Sequence, residues 1–150
     1  MSLVNKIEVF PLTFSVKGRV KFYSSQTSHE TMLVEIKPKT IDNLFVHRFQ
    51  TDRLSVVQGS FVLVVLQNRH YRYLSLNEQQ PTVVKIPPGV PHGAINFSDR
   101  PCVMVNALIR HGSAHKRDYR PLKPPFPYDL KAAKKAFESI QTFSANPLVA

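Results

Sequence analysis

Ile86-Pro87-Pro88-Gly89-Val90-Pro91-His92-Gly93-Ala94-Ile95-Asn96 is the stretch on which the reading of this chain turns. Its two leading prolines fix φ and stop the β-rich run Thr82 to Ile86. Gly89 permits a tight reversal. The chain then re-enters an extended segment with His92 just past the turn. A histidine is thereby aimed from the rigid end of a strand into whatever the sheet encloses. An imidazole held there can move protons near neutral pH or bind a metal ion.

Outward from this turn, the middle of the chain reads as short strands. Ile7 to Phe10 is β-rich and ends at Pro11, Thr31 to Ile36 stops at Lys37-Pro38, and Leu54 to Val57 leads into Gly59. Phe61 to Leu66 is a continuous apolar run, as in a strand covered on both faces. After the polar turn Gln67 to His70, Tyr71 to Leu76 alternates apolar and polar residues, the pattern of a half-exposed strand. Cys102 to Arg110 is the last long run. Strands at roughly 8–12-residue spacing predict an all-β sandwich or barrel, spanning about residues 5–110. Four prolines between Pro121 and Pro127 then exclude a helix or a central strand. Asp129 is placed to cap a helix over about 129–142. In it Leu130, Ala133, Phe137 and Ile140 recur at helical spacing opposite Lys131, Lys134, Lys135 and Glu138, so one basic amphipathic helix is expected to pack on the barrel.

The chain has 150 residues and a mass of 17.1 kDa, enough for one domain over residues 1–150. Its longest apolar run falls far short of the ~20 residues of a membrane helix. Met1 to Lys6 lacks the apolar stretch of a signal peptide. The single cysteine, Cys102, forms no internal disulfide and reads as a small buried hydrophobe. These features suggest a soluble protein in a reducing, cytoplasmic setting. Lys and Arg number 20 against 10 Asp and Glu, a net charge of +10. That excess favours an anionic partner such as a phosphorylated small molecule. The densest clusters, Arg110 to Arg120 with His111 and His115, and Lys131 to Lys135, read as solvated faces. No block of like charge and no nucleic-acid motif accompanies them, so neither nucleic acid nor a membrane is the expected partner.

Pro87, Gly89, His92 and Asn96 resemble the second motif of the cupin family, Pro-x-Gly-x-x-His-x-x-x-Asn, although Pro81 stands at its distant leading glycine. The first cupin motif is matched by His47 and Gly59, with Phe49 in place of a second histidine and Asp52 or Arg53 at the position of its glutamate. The resemblance implies an RmlC-like jelly-roll antiparallel β-barrel, often dimeric, so a homodimer is expected. Arg53 to Val65 followed by Ile86 to Gly93 is similar to the dTDP-4-dehydrorhamnose 3,5-epimerases and the related dTDP-sugar 3,4-ketoisomerases. By that resemblance a strand histidine, His47, abstracts the proton next to a keto group, Arg53 steadies the enolate where those enzymes use lysine, and His92 lines the same pocket. Asp118 is the candidate for the aspartate that orients the base. Leu44 stands where the epimerases carry an arginine. Asn106 lies nearest the place of their acid tyrosine, so Tyr71 or Tyr73 is the candidate replacement.

The chemistry asked of such a site is simple. An α-proton needs a base with pKa near the working pH, the enolate needs a cation or hydrogen-bond donor, and a diphosphate needs Arg or Lys. Gln50, Asn96, Asn106, Tyr71 and Arg110 are the candidate substrate-binding residues, although Asn96 also suits a turn-stabilising role. No cofactor is expected. The alternative is a divalent transition metal on His47, His92 and Asp52, two imidazoles and a carboxylate. A further alternative is a non-catalytic cupin that binds a sugar or another anion. Phe49, Phe61 and Phe97 read as core, and His29, His70, His111 and His115 as surface residues.

Overall fold

A computed structural model describes residues 6–112 and 118–144. His115, the segment before Lys6 and the Ile140 side chain lie outside the described residues. The elements are β1 (Glu8–Pro11), β2 (Phe14–Lys17), β3 (Val20–Tyr23), β4 (Glu30–Ile36), β5 (Thr40–Ile41), β6 (Leu44–Val46), β7 (Gln50–Gln58), β8 (Ser60–Gln67), β9 (His70–Asn77), β10 (Thr82–Ile86), β11 (His92–Asn96), β12 (Cys102–Arg110), β13 (Arg120–Leu122) and α1 (Leu130–Ser144). One sheet runs β1-β10-β7-β12-β4. The other runs β13-β6-β11-β8-β9 with β5 added to β11, and β2–β3 forms a separate hairpin. Every pairing is antiparallel.

The two large sheets face each other across a core of Leu54, Val84 and Met104 from one and Phe61, Leu63 and Val65 from the other. They are not joined into one hydrogen-bonded cylinder, so the expected barrel is an open two-layer jelly roll. Side chains of β8 alternate between two interiors. Phe61, Leu63 and Val65 enter the core between the sheets, while Val62 and Val64 join Leu44, Ile95 and Ala133 beneath α1. That double burial is why Phe61 to Leu66 is apolar throughout, each side chain contributing about 1.5–3 kcal/mol. Asp129 caps α1 as expected, its Oδ1 accepting the Ala132 N–H at 3.0 Å.

Two features go beyond the sequence reading, and one reading, that of Phe49 as core, needs correction. The β2–β3 hairpin, turned at Gly18 (φ 62°), has apolar residues alternating with polar ones but buries neither face. Pro121 lies within β13, tolerated because β13 is the edge of its sheet. Phe49 is 47% exposed rather than core. Phe61 is fully buried, and Phe97 packs against Phe137 of α1 with the rings tilted, centroids 5.8 Å apart. Cys102 is buried, and burial pushes its thiol up to about 12. No helix among the described residues is long and apolar enough to cross a membrane.

Candidate functional site

A cavity of about 440 Å³ opens between the two sheets. Strand register sorts its lining into levels. Arg110 is opposite Gln50, Asn106 opposite Leu54 and Met32, and Met104 opposite Val56 and Val34. On the facing sheet His92 is opposite Val65 and Ala94 opposite Leu63. Gln50, Arg110, His47, Asp118 and Tyr119 therefore form a polar rim, with Asp52 and His92 deeper and Asn106 on the level of Leu54. Val34, Leu54, Phe61, Leu63, Ala94 and Met104 make an apolar floor.

His47 follows directly on β6, one residue beyond the strand on which it was expected. The Pro-Pro-Gly turn fastens it, since the Gly89 N–H donates to the His47 carbonyl at 2.7 Å. Gly89 has φ 85°, a left-handed conformation that favours glycine. Behind the ring, His47 Nδ1 lies 3.6 Å from Asp118 Oδ2. Both atoms are buried and neither makes a hydrogen bond, so the pair faces each other just beyond hydrogen-bond distance. Asp118 is itself held, its Oδ1 accepting the N–H groups of Arg48 (2.7 Å) and Phe49 (2.9 Å). It reaches His47 because β13, just after it, pairs with β6. In front, His47 Nε2 lies 3.6 Å from Asp52 Oδ2.

His92 Nε2 lies 3.0 Å from the same Asp52 Oδ2, and His92 Nδ1 lies 2.9 Å from the Val90 carbonyl. A carbonyl only accepts, so Nδ1 carries a hydrogen and both ring nitrogens are engaged. Asp52 Oδ1 accepts from Gln50 Nε2 (2.6 Å) and Asn106 Nδ2 (3.0 Å). Burial alone would raise the Asp52 carboxyl. The hydrogen bond and charge of His92, the charge of His47 and the Gln50 amide outweigh it and hold the group below its ordinary value. The two imidazole centroids are 6.2 Å apart, so His47 and His92 converge on one carboxylate.

Other expected site residues are placed differently. Arg53 faces away from the cavity, because side chains alternate along β7 and Asp52 takes the inward position. Tyr71 and Tyr73 pack beside the Pro-rich segment before α1. The Tyr71 hydroxyl donates to the Phe126 carbonyl, and Tyr73 accepts the Asp129 N–H, both at 2.6 Å. Neither lines the cavity. Asn96 is buried and stabilises its turn, donating to the carbonyls of Ile36 and Arg100 and accepting from Ser98. Gln50, Asn106 and Arg110 do line the cavity. Arg110 is the one Lys or Arg among its described lining residues, and it donates to Glu30 (2.6 Å) and Gln50 (3.4 Å). His29 and His111 are exposed but engaged: His29 Nδ1 accepts the Arg110 N–H, and His111 Nε2 lies 2.6 Å from Thr51 Oγ1. Sequence reasoning missed Tyr119, whose ring lies 6.1 Å from that of His47 across the rim. Its only signal was adjacency to Asp118.

The donor set does not suit the alternative metal. Asp52 Oδ2 sits at hydrogen-bond distance from His92 Nε2, where an ion binding both would have to stand. Among the described residues no group of three or more His, Cys, Asp or Glu could hold a metal ion.

The fold is an all-β, cupin-like jelly roll of two antiparallel sheets. No family model and no curated protein matches the sequence. Among solved structures, a dTDP-sugar isomerase from Desulfovibrio desulfuricans superposes with a TM-score of 0.68 at 14% identity, over 87% of this chain and 94% of that one. NovW, a 4-keto-6-deoxy sugar epimerase from Streptomyces spheroides, gives 0.67 at 13% identity, over 83% and 73%. The 3,4-ketoisomerase QdtA from Thermoanaerobacterium thermosaccharolyticum, in complex with TDP, gives 0.64 at 16% identity, over 90% and 98%.

Proposed function

We propose that the chain is an isomerase or epimerase of a nucleotide-linked 4-keto-6-deoxy sugar, working by proton transfer next to the keto group. The observation that carries this reading is His47 held at a cavity rim between two carboxylates, Asp118 behind and Asp52 in front. Asp118 retains the proton on Nδ1, which leaves the Nε2 lone pair to take the α-proton. The C–H bond breaks, its electron pair becomes the enolate double bond, and the keto oxygen gains the charge. Asp52 faces the imidazolium that forms. His92, with both nitrogens engaged, is a positioning residue for Asp52 rather than a group that touches substrate. Arg110 binds the diphosphate in exchange for Glu30 and Gln50. Tyr119 takes the acid's place left open by Asn106, which is occupied in holding Asp52. Proton return to the same carbon from the other face gives epimerisation; return to the former carbonyl carbon, with the C3 hydroxyl proton passing to the C4 oxygen as the new C3 carbonyl forms, gives the 3,4-isomer. No cofactor enters these steps. A homodimer is part of the same proposal.

The test is deuterium uptake from heavy water into TDP-4-keto-6-deoxyglucose, the ligand of one QdtA complex. Exchange at a carbon flanking the keto group is expected, and His47→Asn should abolish it. A wild-type protein that catalyses no exchange overturns the enzymatic reading. The crowded His92 and the absence of lysine from the described cavity lining favour one second reading, a sugar-nucleotide binder, for which the same ligand binds without exchange.

A further inference from the structure

Arg53, turned out of the cavity by the alternation of β7, belongs to a second recess on the other face of the same sheet. Strand register lines up Glu8, Lys85 and Arg53 across β1, β10 and β7. Two cations directly opposite in an antiparallel pair repel. Glu8 lies 3.8 Å from Lys85 Nζ and offsets only one of them. Arg53 Nη1 is fixed by the Thr27 carbonyl at 2.9 Å, while its Nε is buried and finds no acceptor. A buried donor without an acceptor is costly. The recess around these groups has a volume of about 610 Å³, is walled by Pro87, Pro88 and Ile109, and is edged by Lys6 and His111.

We propose that this recess is an anion site, which takes a phosphate-class oxyanion between Arg53 and Lys85. A tetrahedral oxyanion carries enough acceptor oxygens to meet the guanidinium fork and the ammonium together. It would supply the acceptor that Arg53 Nε lacks and relieve the Lys85–Arg53 repulsion. Concave walls suit a small anion rather than a polymer. The source is either free inorganic phosphate or the phosphate of a small metabolite. The site is independent of the cavity, from which it is separated by the thickness of β7.

The test is a titration with inorganic phosphate, and in a parallel arm glucose 1-phosphate, at constant ionic strength set with chloride. Amide NMR shifts and the thermal midpoint are followed. Saturable shifts at Arg53, Lys85 and His111 are expected, with affinity weakened at least tenfold in Arg53→Gln and in Lys85→Gln. Arg110→Gln, which alters only the cavity, should leave this affinity unchanged. Tighter binding of glucose 1-phosphate assigns the site to a metabolite, and equal binding to the free anion. Shifts confined to cavity residues, an Arg53→Gln protein that binds as tightly as wild type, or an equal response to chloride alone overturns the proposal. Lys85→Gln keeps the test decisive if Arg53→Gln fails to fold.

Discussion

Asp52 is the residue on which the proton-handling groups depend, because four side chains converge on its two oxygens. Its carboxyl is held below the ordinary value in the folded protein. The linked stability is therefore present above the unfolded pKa and is lost as pH falls through the lower folded value. Asp52→Asn is expected to cost about 1.5–3 kcal/mol at pH 7, the range for a hydrogen bond to a charged group. The difference from wild type should shrink in acid, below about pH 4. Denaturant midpoints at pH 7, 4 and 3 check it, and a gap that widens in acid contradicts the assignment. Asp118→Asn preserves the acceptor for Arg48 and Phe49 but removes the charge behind His47. Deuterium exchange should fall about 10²-fold or more, as for other histidine bases deprived of their carboxylate, with nucleotide affinity little changed. An Asp118→Asn protein exchanging at the wild-type rate would remove Asp118 from the mechanism. His47 and His92 were legible from motif spacing. Whether Asp52 or Arg53 faces inward was not, because one residue of phase decides it and only the pairing of β7 with β10 and β12 sets that phase.

At the scale of elements, the Pro-Pro-Gly turn and β11 brace the base. Gly93 on β11 has no room for a side chain: a Cβ would meet the Asn43 carbonyl oxygen at 2.6 Å and its carbon at 3.3 Å. These are backbone atoms just before β6, so Gly93→Ala must push β6 and with it His47. A loss of about 1–3 kcal/mol is expected, the usual range for overpacking. Exchange should fall more than nucleotide affinity. Thermal denaturation and exchange kinetics on the same preparation check this, and an unchanged midpoint would mean that β6 gives way freely. The runs Thr82 to Ile86 and Cys102 to Arg110 were readable to the residue, since their pattern and stops are local. β6, β13 and Tyr119 were not. β6 and β13 are three residues each and exist through pairing with segments distant in sequence, which no local pattern announces.

Among the described residues, the β2–β3 hairpin pairs with no other strand. The β2–β3 hairpin exposes Phe14, Val16, Val20, Phe22 and Tyr23, each at least 44% accessible. Register puts Phe14, Val16 and Tyr23 on one face of the hairpin and Val20 and Phe22 on the other, and an isolated hairpin is marginal in water. Among the described residues, the seven-residue β4 is an edge of the five-stranded sheet, and its Leu33 is 73% exposed. Charge matches the two surfaces, because the hairpin carries Lys17, Arg19 and Lys21 while β4 carries Glu30 and Glu35. The proposed homodimer therefore lays the hairpin of one copy along the β4 edge of the other, covering both unpaired features at once. Such a contact would also shield Glu30, which holds Arg110 at the cavity rim, so dimerisation would bear on how firmly the rim arginine is positioned. Light scattering should give twice the mass of the chain for wild type, and Phe22→Ser should shift the population to monomer while near-ultraviolet circular dichroism keeps its folded signature. The monomeric variant should bind nucleotide more weakly, through a less constrained Arg110. A wild-type protein that is monomeric at every concentration tested, or a Phe22→Ser protein that remains dimeric, shows that the hairpin serves another purpose.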